Sequence, residues 1–92
     1  MKFSIIGASK ICSIYIDIFK EEGDEIVSVF SRDAKHLKNF CLKKKIDIFS
    51  NDIEKFCKQS LDTQAVFILN KPKDHIFFLK KILNLNSYVF IE

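Results

Sequence analysis

The opening segment of the chain, residues 2–12, constrains the fold more than any other part of the sequence. It reads KFSIIGASKIC: a short apolar run stops at Gly7, and an amphipathic helix pattern begins three residues later. A strand, a tight glycine turn and a helix in this order can place the phosphates of a nucleotide at a helix N-terminus. The segment therefore predicts an α/β fold with a nucleotide site after its first strand.

Strand and helix patterns alternate along the rest of the chain. Periodicity predicts strands over residues 2–7, 25–30, 46–49, 65–69 and 88–91, and helices over 10–22, from Asp33, from Asn51 or Asp52, and over 74–86. This βαβαβαβαβ order predicts a Rossmann-like, doubly wound parallel sheet of about five strands in the order 3-2-1-4-5, with helices on both faces.

The first helix shows the clearest amphipathic spacing. Its expected buried face consists of Ile11, Ile14, Tyr15, Ile18 and Phe19. We expect the glycine that follows at position 23 to cap the helix C-terminus.

Composition limits the chain to one domain and narrows its partners. With 92 residues, 48% of them hydrophobic and ten of them Phe, it can bury a modest core. The net charge of +3 comes almost wholly from lysines, with Arg32 as the only arginine, which disfavours nucleic-acid binding. No apolar run approaches the roughly 20 residues of a membrane span, so we expect no membrane partner.

The three cysteines, Cys12, Cys41 and Cys57, are odd in number and lack CxxC spacing. They are interpreted as reduced thiols that pack in the core of a cytoplasmic protein. No cluster of Cys and His predicts a metal site.

Four segments carry a family resemblance: GASKIC at 7–12, SRD at 31–33, NKPKDH at 70–75 and NLNSYVFIE at 84–92. Together they resemble the N-terminal nucleotide-binding domain of the glucose–fructose oxidoreductase / inositol dehydrogenase (Gfo/Idh/MocA) family, and the resemblance covers the whole chain. The family fold is the one predicted above. In that family, hydride passes between a nicotinamide and a sugar-like or polyol substrate.

The first segment resembles the family fingerprint GxGxIG or GxGxIA. Gly7 matches the first glycine, Ser9 replaces the second and Cys12 the third. The resemblance implies cofactor contacts from Gly7, Ser9, Lys10 and Ile11. Serine lacks the freedom of glycine at positive φ, so we expect a weakened contact at Ser9.

The second segment bears on the choice of cofactor. Many NAD-binding members of the family carry an acid where this chain has Ser31. Ser31 can donate to a phosphate, and Arg32 can pair with a phosphate or stack on adenine. We therefore predict NADP as the preferred cofactor, with NAD as the alternative.

The third segment resembles the TPxxxH stretch that lies along the nicotinamide half of the dinucleotide. The resemblance implies cofactor contacts from Asn70 and Lys71 and a mainly structural role for His75. The other histidine, His36, is expected to be a surface residue.

The fourth segment resembles the L-x-x-G-K-H-V-L-x-E-K-P stretch of the family. Asn86 stands at its glycine, where a left-handed conformation is expected, and Glu92 matches the glutamate of E-K-P. In the family the catalytic lysine comes next, and we expect that this lysine and the C-terminal substrate domain are absent from this chain. We therefore expect no catalytic residue in residues 1–92, and nucleotide binding as the activity of this chain alone.

The sequence is also compatible with other functions. The chain could be a non-catalytic nucleotide-binding or protein-interaction module, or an inactive remnant. A receiver-like domain fits poorly, because its acidic pair after the first strand is replaced by Gly7. The last strand, Tyr88 to Ile91, carries no charge and would form a sheet edge, so we also expect self-association through it.

Overall fold

Five parallel strands and four α-helices alternate in the computed structural model, which describes residues 1–92. The elements are β1 (Lys2–Ile6), α1 (Lys10–Glu21), β2 (Glu25–Phe30), α2 (Ala34–Lys44), β3 (Phe49–Ser50), α3 (Ile53–Gln59), β4 (Ala65–Ile68), a 3-10 turn (Pro72–Asp74), α4 (His75–Ile82) and β5 (Tyr88–Ile91). The strands lie in the order β3-β2-β1-β4-β5, all pairs parallel, which confirms the predicted topology. No helix combines the length and apolarity that a membrane crossing requires.

The core consists of two layers, one on each face of the sheet. Successive residues of β1 point to opposite faces, so Ile5 joins one layer and Ile6 the other, both fully buried. The first layer packs α1 and α2 against the sheet through residues such as Ile16 and Leu37. The second packs α3 and α4 through residues such as Phe56 and Phe78. Helices on both faces confirm the doubly wound arrangement.

The buried face of α1 differs from the prediction. Cys12 and Ile16 are fully buried and Tyr15 and Phe19 pack half-buried beside them, whereas three isoleucines expected in the core are 40–50% exposed. These three, Ile11, Ile14 and Ile18, are called the isoleucine stripe below. The helix carries two apolar stripes, and tertiary packing selects the one that contains Cys12.

Caps predicted from single residues are confirmed. Gly23 has φ +86°, and the N–H of Asp24 donates to the carbonyl of Phe19, as in a Schellman motif. The side chains of Asp33 and Asp52 accept bonds from the first-turn N–H groups of α2 and α3.

The bounds of two elements differ from the prediction by more than one residue, and one predicted backbone conformation is absent. The third strand covers Phe49–Ser50 rather than 46–49, because Lys45 ends α2 in a left-handed conformation (φ 57°) and Ile46 is buried in the core. Helix α4 covers His75–Ile82, shorter than 74–86. Asn86 does not adopt positive φ, since Lys45 is the one non-glycine residue that does.

Candidate dinucleotide site

An open cleft of about 660 Å³ lies at the carboxyl ends of β1, β2 and β4. Three loops line it: residues 7–9 after β1, 31–33 after β2, and 69–71 with 73–74 after β4, joined by His36 and Phe78. Parallel sheets of this order bind ligands at this position, where the strand order reverses on either side of β1.

The turn after β1 requires glycine at its first position. Gly7 has φ +135°, and a Cβ there would lie 2.7 Å from the Sγ of Cys12 and 3.4 Å from the carbonyl carbon of Leu69. Cys12, which replaces the third glycine of the fingerprint, thus fills the space that the missing side chain of Gly7 leaves. Gly7 also lines the cleft, so a ligand there can approach the main chain of this turn closely.

The N-terminus of α1 faces the same cleft without a side-chain cap. Ser9 is the N-cap residue, with φ −89°, and its side chain bonds no N–H of the first turn. Its Oγ instead lies 3.3 Å from the Sγ of Cys12. We expected a weakened cofactor contact because serine disfavours positive φ. That reason is wrong, since the backbone of Ser9 is extended. First-turn N–H groups and the helix dipole remain available to an anion.

Arg32 bridges the cleft from the end of β2 to the start of α4. Its Nη1 lies 3.6 Å from Oδ1 of Asp74. Its guanidinium carbon lies 5.0 Å from the ring centre of Phe78 and 5.4 Å from that of Phe77, within cation–π range. Ser31, half-buried before it, also lines the cleft. The only arginine of the chain is therefore held in the cleft by a carboxylate and two aromatic rings.

The loop after β4 presents an unpaired polar atom. Oδ1 of Asn70 is buried without a hydrogen-bond partner, and Asn70 lines the cleft together with Lys71. A buried amide oxygen without a partner is uncommon in native structures, and a bound donor such as a ribose hydroxyl would satisfy it. His75, 8% exposed, has its Nε2 2.7 Å from the carbonyl oxygen of Asn70, which fits the structural role expected for it.

The structure brings together six of the ten predicted cofactor-binding residues: Gly7, Ser9, Ser31, Arg32, Asn70 and Lys71. The side chains of the other four, Lys10, Ile11, His75 and Glu92, do not line the cleft. Glu92 lies at the end of β5, where its carboxylate accepts a hydrogen bond from the hydroxyl of Tyr15 and raises the pKa of that phenol.

Sequence reasoning missed several cleft residues, of which His36 is the clearest. It is exposed, as expected, but its ring Nε2 lies 2.7 Å from the carbonyl oxygen of Ala8, so it links α2 to the glycine turn. A signal was present: His36 stands three residues after the cap Asp33, in the helix turn beside the cleft. Asp74 and Lys73 were missed as well, because their place in the cleft depends on the 3-10 turn.

The donor set of the cleft fits a dinucleotide. Three cationic side chains line it, Arg32, Lys71 and Lys73, against the two carboxylates of Asp33 and Asp74. The uncapped helix N-terminus matches a pyrophosphate, and the unpaired oxygen of Asn70 matches a hydroxyl donor. No cluster of three or more His, Cys, Asp or Glu side chains could hold a metal ion.

The fold and this cleft define a Rossmann-type nucleotide-binding domain. Residues 1–92 match the model of the Gfo/Idh/MocA family, described as an oxidoreductase family with an NAD-binding Rossmann fold. The chain belongs to this family and forms its NAD-binding domain. No curated protein sequence matches the chain.

Solved structures show the same fold. Myo-inositol dehydrogenase from Lactobacillus casei, in complex with NAD(H) and myo-inositol, superposes with a TM-score of 0.85 at 21% identity, covering 99% of this chain and 27% of its own. The WlbA dehydrogenase from Bordetella pertussis, in complex with NADH and UDP-GlcNAcA, gives 0.85 at 15%, with 99% and 28% covered. The dehydrogenase MviM from Clostridium difficile gives 0.80 at 24%, with 99% and 29% covered. The chain therefore spans less than a third of the length of these proteins.

Proposed function

We propose that this domain binds NADP(H) in preference to NAD(H) and presents it for hydride transfer in an oxidoreductase acting on a sugar-like or polyol substrate. The observation that carries the cofactor preference is the position of Arg32, which lines the cleft at the end of β2 where Ser31 stands in place of an acid. A carboxylate there would accept from a ribose 2′-hydroxyl, whereas a guanidinium pairs with a 2′-phosphate.

The remaining cleft residues would each bind a different part of the cofactor. The N–H groups at the start of α1, next to Gly7 and Ser9, would bind the pyrophosphate. Oδ1 of Asn70 would accept a hydrogen bond from a hydroxyl of the cofactor, and Lys71 would add positive charge. When bound, the nicotinamide supplies the hydride chemistry, and the residues of this domain hold and orient it.

Residues 1–92 are proposed to bind the dinucleotide without catalysing its reduction or oxidation. The Nε2 atoms of His36 and His75 lie at hydrogen-bond distance from main-chain carbonyls. Burial raises the pKa of Cys41 to about 11 and also raises that of Cys57, which keeps both thiols protonated near neutral pH. The three unpaired thiols support a reducing, cytoplasmic setting.

Titration with NADPH and NADH, followed by nicotinamide fluorescence, tests the cofactor proposal. We expect NADPH to bind at least about tenfold more tightly than NADH, since hydrogen bonds to charged groups contribute roughly 1.5–3 kcal/mol. Arg32→Gln should weaken NADPH binding at least to the level of NADH and leave NADH binding nearly unchanged. Lys35→Gln is the matched control, because it removes the same charge from an exposed position outside the cleft lining.

Two outcomes would contradict the proposal. Equal affinities for NADPH and NADH would refute the cofactor preference. An equal loss of NADPH affinity in Arg32→Gln and Lys35→Gln would show that net charge, rather than a contact with Arg32, attracts the phosphate.

We also propose that the chain self-associates through β5. This strand pairs with β4 on one side only, and its Tyr88, Phe90 and Ile91 are 75%, 52% and 47% exposed. The isoleucine stripe adds exposed apolar surface on α1, whose Tyr15 hydroxyl bonds Glu92 at the end of β5. An uncharged edge strand with one unpaired side offers its main chain to a second copy.

A further inference from the structure

We infer that Asp74 sets the relative affinity of the cleft for NADPH and NADH, an inference that rests on the proposed role of Arg32. Asp74 restrains Arg32 in the free domain and places a negative charge where a 2′-phosphate would come. It thereby lowers the affinity for the phosphorylated cofactor without affecting the other.

The geometry makes Arg32 the one charged partner of Asp74. The distance of 3.6 Å between Nη1 and Oδ1 exceeds that of a hydrogen bond, so the contact is an ion pair. The carboxylate of Asp74 caps no N–H group of α4, although it stands at the N-cap position of that helix. The contact with Arg32 is therefore not a by-product of helix capping.

Arg32 is restrained from a second direction by aromatic rings. Phe77 and Phe78 lie within cation–π range of the guanidinium, which joins it to the first two turns of α4. The side chain nevertheless remains 59% exposed, against 23% for Asp74. Arg32 thus keeps donors open to a ligand while its carboxylate partner lies more deeply in the cleft wall.

A 2′-phosphate would feel the charge of Asp74 directly. Bonded to the open donors of the guanidinium, it would lie inside the ~8 Å over which charges interact at physiological ionic strength. It would also have to share Arg32 with the carboxylate. NADH carries an uncharged hydroxyl at the same place, so neither effect applies to it. Lys71 and Lys73 also line the cleft, where their charges would attract the phosphates of both cofactors.

The variant Asp74→Asn tests the inference in the same titration. We expect NADPH to bind Asp74→Asn about three- to fivefold more tightly than it binds the wild-type domain. This factor corresponds to the upper end of the energies of exposed ion pairs, because the phosphate carries nearly two charges. NADH affinity should change by less than about twofold, since no charge is gained or lost at its 2′-hydroxyl. The gain should shrink as salt is raised.

Asp33→Asn is the matched control. Asp33 also lines the cleft, but its carboxylate accepts from the N–H of His36 and is not paired with Arg32, and asparagine caps helices equally well. An equal gain in Asp33→Asn and Asp74→Asn would overturn the inference in favour of a general charge effect. A loss of NADPH affinity in Asp74→Asn would also overturn it, because Asp74 would then position Arg32 productively.

The single variants Arg32→Gln and Asp74→Asn, together with the double variant Arg32→Gln/Asp74→Asn, separate this inference from the proposed function. If Arg32→Gln alone leaves NADPH binding unchanged, the proposed function fails. If Arg32→Gln weakens binding but Asp74→Asn does not strengthen it, only the role of Asp74 fails. In the absence of Arg32, the substitution at Asp74 should give a smaller gain than it gives with Arg32 present.

Discussion

Replacement of Gly7 by alanine should destabilise the domain severely, through two separable effects. A residue with a Cβ at φ +135° is strained, at roughly 1–3 kcal/mol. The added Cβ would also lie 2.7 Å from the buried Sγ of Cys12, and forcing an atom into a packed core costs about 1–3 kcal/mol more. We expect a loss of about 2–6 kcal/mol, a large part of the 5–15 kcal/mol that stabilises a typical domain.

The second glycine of the chain supplies the matched control. Gly23 has φ +86° but no atom within 4 Å of where its Cβ would lie, so Gly23→Ala measures backbone strain without a clash. The cost of Gly23→Ala should be about 1–2 kcal/mol. Urea unfolding of both variants, monitored by circular dichroism, gives the comparison. The steric part is isolated by repeating Gly7→Ala in a Cys12→Ala background, where the substitution should cost at least about 1 kcal/mol less.

Two results would refute this reasoning. If Gly7→Ala costs no more than Gly23→Ala, the close contact with Cys12 carries no energetic weight. If the cost of Gly7→Ala is the same with and without the thiol of Cys12, the loss is backbone strain alone.

Two further predictions concern the thiols and the sheet edge. Burial raises the pKa of Cys41 from 9.0 to about 11, so the folded state keeps a proton that the unfolded chain loses. The contribution of Cys41 to the free energy of unfolding is intact below pH 9 and falls by about 1.4 kcal/mol per pH unit as pH rises from 9 to 11. The difference in unfolding free energy between wild type and Cys41→Ala should therefore shrink over this range. A constant difference would argue against a buried neutral thiol. At the edge, Phe90→Lys should convert a concentration-dependent mass in light scattering to a monomer, because lysine blunts an open strand. Leu42→Lys, at an exposed position on α2, should leave association unchanged, and a wild-type chain that is monomeric at all concentrations would contradict association through β5.

Local sequence signals predicted the caps and the element order because each depends on neighbours in the chain. Asp33 and Asp52 bond N–H groups two or three residues ahead, and Gly23 adopts a conformation that its own lack of a side chain permits. The strand order followed from parallel connections, whose right-handed crossovers leave few alternatives. Asn86 fails as a prediction because asparagine permits a left-handed conformation without requiring one.

Periodicity could not choose between the two apolar stripes of α1. Both repeat at helical spacing, and the isoleucine stripe is the more hydrophobic of the two, yet it is the exposed one. In the folded chain, Cys12 and Ile16 are buried in the core layer against the sheet, and Cys12 lies beside Gly7. The third strand was misplaced for a related reason, since Ile46 packs in the core rather than pairing with β2.

The sequence alone determined the parallel α/β fold, the family and the three loops that would meet at the cleft, because these depend on local pattern and chain connectivity. Only the tertiary structure decided which side chains contact one another in the cleft. It joined Arg32 to Asp74, placed His36 against the glycine turn and left Oδ1 of Asn70 buried without a partner. The residues that contact one another in the cleft come from segments distant in the sequence. They meet only when the sheet brings the ends of β1, β2 and β4 together.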